Sequence, residues 1–294
     1  MSEVENQPSA SDYIVHHLTH WQNKPQTEIV DFTVFNIDSI FFSVLLGVVG
    51  SFFLWMAARK VTSGVPGRFQ AAVEMLFEMV DGQAKSIVHN ATSRKMVAPL
   101  ALVVFVWIFL LNSMDLLPLD LLPVIWSAVF GAAGLDPHHA YLRVVPTADL
   151  SVTMGLSVSV LFICLFYNIK IKGIGGWAHE LVSAPFGTSK NPIFAVILAV
   201  INIAEQLISF VAKTVSHGMR LFGNMYAGEL VFMLIALLGG SWALSAEPSS
   251  LMLLLLHIVA GWAWAVFHII IILLQAFVFM MLTLVYIGQA HDAH

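Results

Sequence analysis

Long apolar blocks constrain this chain more than any other feature of its sequence. They occupy residues 40–58, 97–111, 152–167, 193–204, 230–238 and 251–287. Because about 20 apolar residues in a helix cross the hydrocarbon core of a bilayer, such blocks indicate membrane-spanning segments. Strands of a transmembrane barrel would alternate apolar and polar residues over about 10 positions, and these blocks do not. The sequence therefore predicts an all-α integral membrane protein.

Composition and charge narrow the class further. Only 11% of the 294 residues are charged, against roughly 25% in an ordinary soluble domain, so a soluble fold is excluded. The net charge is −5 and no basic tract is present, so no nucleic-acid partner is expected. The single cysteine, Cys164, cannot form an internal disulfide. Residues 1–38 are polar and acidic, unlike a cleaved signal, and the first apolar block is expected to be a retained anchor.

The distribution of basic residues predicts the topology, because lysine and arginine accumulate on the cytoplasmic side. Two connections contain Arg59, Lys60, Arg68, Lys85, Arg94, Lys95, Lys170, Lys172 and Lys190. Arg143 is the only lysine or arginine in the connection 112–149, and the connection 239–250 has none. We therefore predict five membrane passes, with the N terminus outside and the C terminus inside. Residues 1–38 would form an outward-facing polar segment, and 39–294 a single membrane domain.

Residues 67–89 lie between the first and second passes and carry apolar side chains at helical spacing opposite charged ones. This pattern predicts an amphipathic helix. The helix lies on the inner membrane surface or packs on neighbouring helices, and the alternative is an ordinary amphipathic connector. We assign no function to it.

The C-terminal part contains two stretches that are too long for upright helices. The Asn-Pro pair at 191–192 is a helix start signal and the Gly-Gly pair at 239–240 a stop signal, with no proline between them. A continuous helix between these two signals would run about 70 Å, more than twice the roughly 30 Å hydrocarbon core. Residues 251–288 would run about 57 Å. We predict that 191–288 forms a helical hairpin whose members tilt, protrude or kink.

Ionisable residues occur deep within the first helix of this hairpin: Glu205, Lys213, Arg220 and Glu229. An intramembrane charge indicates function because isolated burial is so costly. Arg220 keeps its proton at physiological pH, so it must meet a carboxylate, carbonyls or water. A polar stripe follows one helix face at three- and four-residue steps through Lys213, Ser216, Arg220 and Asn224, and it includes Gln206. Glu229, nine residues beyond Arg220, falls on the opposite face.

His268 and Gln275 stand seven residues apart on one face of the last helix. A histidine in an apolar stretch is a candidate proton carrier, and the alternative is a buried, hydrogen-bonded imidazole. Contact between His268 and Glu229 across the hairpin would form a proton relay, but spacing alone leaves this open.

Three acidic residues, Asp115, Asp120 and Asp149, lie where the second and third passes meet the outer surface. They either line the mouth of an aqueous cavity or cap the helices at the interface. For Asp120 we prefer the helix-capping role.

Several motifs occur in order along nearly the whole chain. They are SGVPG at 63–67, MDLLP at 114–118, RVVPTAD at 143–149, KIKGIGG at 170–176, RLFGNMYAGE at 220–229, and FHI at 267–269 with QAF at 275–277. Together they resemble the a subunit of bacterial F-type ATP synthases. A chance match of so many motifs of this length is not credible.

The resemblance implies a stationary subunit in the bilayer beside a rotating ring of c subunits, together with the b subunits and the remainder of the synthase. Arg220 would be the essential arginine that faces a carboxylate on the ring, with Asn224 close by. The chain would not be catalytic alone, and neither a cofactor nor a metal is expected.

The resemblance also implies two offset half-channels that lead to the ring carboxylates. The outward one would contain Glu229, His268 and Gln275, with Asp115 and Asp149 near its mouth. The cytoplasmic exit would contain Lys213 and Ser216, and either Glu205 or Gln206. A proton would enter from outside, neutralise a ring carboxylate, travel with the ring for almost a full revolution and leave through the exit, while Arg220 keeps the half-channels apart.

The alternatives to this function are a self-contained ion transporter or channel and a purely structural anchor. In a self-contained ion transporter or channel, Arg220 would bind an anionic substrate, but the sequence contains no internal repeat and no matching pair of broken helices. A purely structural anchor does not explain Arg220 and Glu229 within the membrane. The choice between H⁺ and Na⁺, the size of the ring and the net direction in the cell depend on other chains.

Overall fold

The computed structural model describes residues 10–26, 31, 33–62, 64–134, 136, 140–240 and 248–290. These residues form the α-helices α1 (Ala10–Leu18), α2 (Ile37–Arg59), α3 (Arg68–Ile87), α4 (Ala91–Ser113), α5 (Leu121–Ala132), α6 (Leu150–Ser183), α7 (Pro192–Gly240) and α8 (Pro248–Gln289). Short 3₁₀ helices occur at Met114–Leu116 and Pro146–Ala148. Five helices, α2, α4, α6, α7 and α8, are long and apolar enough to cross a membrane. The predicted all-α membrane fold with five such helices is thereby confirmed.

The two shorter helices between the spans differ in character. In α3, which matches the predicted 67–89 helix, Val80 and Ala84 are buried, and Lys85 pairs with Asp81 one turn away at 2.5 Å. The sequence did not predict α5, which lies within the connection 112–149. It is apolar except for Ser127, but its 12 residues are too few to cross the hydrocarbon core.

A glycine divides α6 into two helices. Gly173 has φ +71° and ψ 163°, a conformation that side-chain-bearing residues rarely adopt. Around this break Lys172 forms an ion pair with Glu180, with 2.7 Å between Nζ and Oε1. The buried Asn202 of α7 fixes the end of α6 and the turn that follows it. Its side-chain amide donates to the Val182 carbonyl at 2.7 Å, and its Oδ1 accepts from the Phe186 N–H at 3.1 Å.

The two C-terminal helices have 49 and 42 residues. At 1.5 Å per residue they extend about 70 Å and 60 Å. As predicted, α7 begins at Pro192 and ends at Gly240, and Pro248 plays the same initiating role in α8. Residues 241–247, most of the predicted 239–250 connection, lie outside the described residues.

The chain groups into two compact units. Unit 1 comprises Met1–Val48, Phe109–Asp149 and Gly223–Leu274, and unit 2 comprises Val49–Ile108, Leu150–Phe222 and Gln275–His294. Fully buried side chains include Leu111, Met225, Met233 and Ile272 in unit 1, and Ile108, Leu221, Met280 and Leu284 in unit 2. The segment predicted as one membrane domain contributes to both units. Unit 1 contains the connections predicted to face outward, and unit 2 contains the lysine- and arginine-rich connections predicted to face inward.

Candidate functional site

A buried ion pair occupies unit 1. The Nη2 atom of Arg143 lies 2.6 Å from Oε2 of Glu229, and Nε donates to Oε1 at 3.4 Å. Both side chains are buried, at 6% and 5% exposure. Two-point pairing of this kind offsets part of the cost of removing both charges from water. Arg143 entered the sequence analysis only as part of a motif and as the single basic residue of its connection, so its role beside Glu229 was missed.

A second buried pair in unit 1 joins His268 to Asp115. The Nε2 atom of the imidazole lies 2.6 Å from Oδ2, and neither side chain is exposed. Gly228 makes room for the imidazole, since a Cβ at that position would lie 2.9 Å from its Nδ1 atom. Among the described residues, His268 therefore pairs with Asp115 while Glu229 pairs with Arg143. The imidazole nevertheless contacts the residue that precedes Glu229.

Asp38 and His20 extend the same network. The buried Asp38 carboxylate accepts hydrogen bonds from the backbone N–H groups of Trp21 and Arg143, each at 3.0 Å. His20 stands between Asp38 and Arg143: its Nδ1 atom is 3.3 Å from Asp38 Oδ1, and its Nε2 atom is 3.0 Å from Arg143 Nη1. Neither His20 nor Asp38 was predicted to be functional. Their positions in a polar N-terminal segment gave no periodic signal.

A small cavity of about 30 Å³ borders these two pairs. Its lining includes Asp115, Arg143 and Glu229. The volume suits about one water molecule, and the surrounding carboxylates and guanidinium supply the polar partners that a buried water requires. A water there would connect the two acids.

Asp149 and Asp120 differ from one another. Asp149 is buried and accepts a hydrogen bond from Asn36 Nδ2 at 2.7 Å, so it belongs to the polar interior of unit 1. Asp120 occupies the N-cap position of α5, but its side chain makes no capping hydrogen bond. Its carboxylate instead accepts from the Tyr13 hydroxyl at 3.1 Å and lies 3.0 Å from His17 Nε2, so the preferred capping role was wrong. Burial and the Asp120 carboxylate raise the pKa of Tyr13, which keeps its hydroxyl a donor.

Helix α7 presents its charges on different faces. Arg220 is exposed, Asn224 is half-buried, and Glu229 is buried. The regular helix keeps the spacing from which opposite faces were predicted for Arg220 and Glu229. Lys213 and Ser216 precede Arg220 on its face.

Unit 2 contains a cavity of about 1000 Å³. Its polar lining includes Gln206, Lys213, Gln289, and the Lys172 and Glu180 pair. Lys213 Nζ donates to Gln289 Oε1 at 3.0 Å. At roughly 30 Å³ per water molecule, the space suits about 30 waters, enough for an aqueous path to the buried polar groups.

The remaining predicted residues take varied positions in relation to this cavity. Gln206 lines it, whereas the neighbouring Glu205 is exposed and does not. Ser216 is also exposed and outside the lining. Gln275 belongs to unit 2 and is buried on α8.

His217 was missed by the sequence analysis although it also lines the cavity. It is 2% exposed, its ring stacks on Phe279 with centroids 3.8 Å apart, and its Nε2 atom has no hydrogen-bond partner among the described residues. The sequence signal that could have identified His217 is its position one turn before Arg220 on the same helix face.

Comparisons with known proteins agree along the chain. Residues 40–288 match the family model described as "ATP synthase A chain". The "ATP synthase subunit a" of Paracidovorax citrulli (strain AAC00-1) is 67% identical over 294 residues, 100% of both chains. The protein of the same name from Verminephrobacter eiseniae (strain EF01-2) is 62% identical over the same span. That from Psychrobacter cryohalolentis is 46% identical over 302 aligned residues, 98% of both chains.

Proposed function

The chain belongs to the ATP synthase A chain family and serves as a stationary proton-channel subunit of an F-type ATP synthase, and we propose that its two polar sites are the two half-channels of the proton path. The family and function implied by the sequence motifs are thereby confirmed. In this proposal the chain catalyses nothing alone. It conducts protons for a complex whose other members include the c ring and the b subunits.

The outward half-channel lies in unit 1. Asp149 and Asp115 receive protons from the outer side, and His268 and Glu229 pass them on. The pairing of Arg143 with Glu229 supports this assignment, because a carboxylate that exchanges protons inside the membrane needs a nearby charge to stabilise its ionised form. In this proposal the N terminus lies in the periplasm and the C terminus in the cytoplasm of a bacterial inner membrane.

Arg220 faces the ring carboxylates from α7, with Asn224 beside it. Support comes from the exposure of the Arg220 side chain among exposed apolar neighbours such as Met219 and Val215. Only 6% of the most apolar window of α7 is buried, so this helix offers a long face to a partner chain or to lipid. A permanent cation on such a face is best accounted for by an anionic partner.

The inward half-channel is the cavity of unit 2. Lys213 and Gln206 line it, and we assign the exit role to Gln206 in preference to Glu205 because only Gln206 borders the cavity. Ser216 would contribute at the approach to Arg220, whereas Gln275, buried on α8, keeps the outward role that the motifs imply. A carboxyl group of the ring that reaches this aqueous space would release its proton to the cytoplasm.

Coupling follows from the cost of charge in the membrane. A ring carboxylate crosses lipid only when it is neutral, and Arg220 attracts the ionised form while it repels excess protons. Protons therefore cross only when the ring turns. Each one delivers about 2.3 kcal/mol per 100 mV of membrane potential, plus the contribution of the pH difference.

One observation carries this proposal. The buried pairs of Glu229 and His268 lie in unit 1, which contains the predicted outward connections, and the Lys213 cavity lies in unit 2, which contains the predicted inward ones. Each half-channel thus has its own polar site.

The test is Arg220→Ala, assayed in inverted membrane vesicles. We expect loss of ATP-driven proton pumping and of proton-driven synthesis, together with a passive leak, because the barrier between half-channels is gone. Arg220→Lys should rescue poorly, since the ammonium is more strongly hydrated than the guanidinium and can lose its proton when buried.

The matched control is Met219→Ala, which removes an exposed neighbour of Arg220 without changing charge. It should assemble and pump normally. Near-normal pumping by Arg220→Ala, in a complex that still co-purifies with the c ring and b subunits, would refute the proposed role of Arg220.

A further inference from the structure

His20, which follows α1, is held between two charged residues. Its side chain is 12% exposed. Its two ring nitrogens face different partners, Asp38 at 3.3 Å through Nδ1 and Arg143 at 3.0 Å through Nε2. The Ser39 hydroxyl lies 3.5 Å from Nδ1.

The identity of the partners fixes the protonation of the ring. A guanidinium can only donate hydrogen bonds, so Nε2 of His20 must present its lone pair to Arg143 Nη1. The single ring proton is then on Nδ1 and is directed toward Asp38. The contact therefore requires a neutral imidazole of one defined tautomer.

Arg143 distributes its donors in two directions. Its Nε and Nη2 atoms serve Glu229, and Nη1 serves His20. Because the guanidinium is planar and rigid, an acceptor on Nη1 fixes the direction in which the other two nitrogens point. We propose that His20 is a positioning residue of the outward half-channel, which holds Arg143 in the orientation that pairs with Glu229. This inference rests on the proposed role of Glu229 in the proton path.

Acid should release this arrangement. The groups that face His20 are Asp38 from α2 and Arg143 from the segment before α6, with Glu229 of α7 behind Arg143. A doubly protonated ring has no acceptor left and presents a like charge to the guanidinium. The Asp38 carboxylate balances that charge but cannot restore the lost acceptor.

The test compares His20→Ala with His20→Gln in ATP synthesis by vesicles, at constant driving force. A glutamine carbonyl can accept from Arg143 and its amide can donate to Asp38, whereas alanine does neither. We expect His20→Ala to be about tenfold slower, the effect of losing one hydrogen bond to a charged group. His20→Gln should retain most of the activity.

The pH profile distinguishes positioning from a general structural role. On acidification of the N-terminal side, the wild type should lose activity in a step that His20→Gln lacks, because a glutamine side chain cannot gain a proton at this position. Thr19→Ala is the matched control, because within the described part of the chain the Thr19 hydroxyl bonds only to the Val15 carbonyl of its own segment, at 2.7 Å. Activities are normalised to the amount of assembled complex. If His20→Ala fails to assemble, the pH profile of His20→Gln alone tests the positioning role.

Each contrary result has a separate meaning. If His20→Gln is as slow as His20→Ala, the ring conducts protons itself and the positioning role is overturned. If His20→Ala is as active as wild type while Glu229→Gln is impaired, this inference alone fails. If Glu229→Gln is unimpaired, the proposed outward half-channel fails instead.

Discussion

In the proposed proton path, the single residue Glu229 has two requirements, a charged partner and the ability to exchange a proton. Arg143 satisfies the first, since it donates to both carboxylate oxygens. The second depends on the nearby His268 and Asp115 pair and on the water-sized cavity that borders Asp115 and Glu229. A neutral amide at this position would keep the shape of the side chain but would exchange no proton.

We therefore expect Glu229→Gln to slow ATP-driven proton pumping by at least about tenfold. Removal of one partner from a buried ion pair also leaves the other uncompensated, at a cost of about 3–5 kcal/mol, so the amount of assembled complex must be measured alongside pumping. The same substitution at the exposed Glu78 of α3 is the control and should have no effect. Near-normal pumping by assembled Glu229→Gln would remove this residue from the path.

Between elements, the approach of α8 to α7 in unit 1 depends on glycines. At Gly228 a Cβ would lie 2.9 Å from the Nδ1 atom of His268, and at Gly239 it would lie 2.8 Å from the Nδ1 atom of His257. The second imidazole is also anchored, because its Nδ1 atom is 2.7 Å from the Ile235 carbonyl oxygen. Small residues that let helix backbones approach closely are typical of membrane helix pairs.

This packing predicts a contrast between two glycines of α7. Gly228→Ala should displace the His268 imidazole from Asp115, with an overpacking cost of about 1–3 kcal/mol and a marked loss of pumping. Gly223→Ala should be tolerated, because a Cβ there meets no atom of the described residues within 4 Å. Thermal inactivation and pumping of the two purified complexes provide the comparison. Equal behaviour of the two variants would contradict the close packing at Gly228.

At the scale of the whole molecule, the side of the membrane that each connection faces determines which unit serves which half-channel in the proposed path. In a Cys164→Ser background, a cysteine at Ser11 of α1 should react with an impermeant thiol reagent from outside intact cells. A cysteine at Ser189, between α6 and α7, should react only in inverted vesicles. The loop position Ser245, also predicted outside, lies outside the described residues. Labelling of the cysteine at position 189 from the outside would contradict the five-pass topology. It would also exchange the outward and inward roles that are proposed for the two units.

Much of this architecture was accessible from the sequence by itself, because it depends on local chemistry. Apolar length predicted the five long helices, proline and glycine predicted where α7 begins and ends, and helical phase predicted that Arg220 and Glu229 fall on opposite faces. Each of these properties depends on neighbours within a few turns of one helix. The family motifs added the identity of the polar residues.

The partners of those residues were decided only by the tertiary structure. Glu229 pairs with Arg143, 86 positions away, and His20 lies beside Arg143 across 123 positions, in segments that have no periodicity to read. The proposed choice of Gln206 over Glu205 likewise depends on which side chain borders a cavity formed by several elements. A sequence specifies which groups must be satisfied in the membrane, but the folded chain determines which distant group satisfies each one, because such contacts depend on packing between elements.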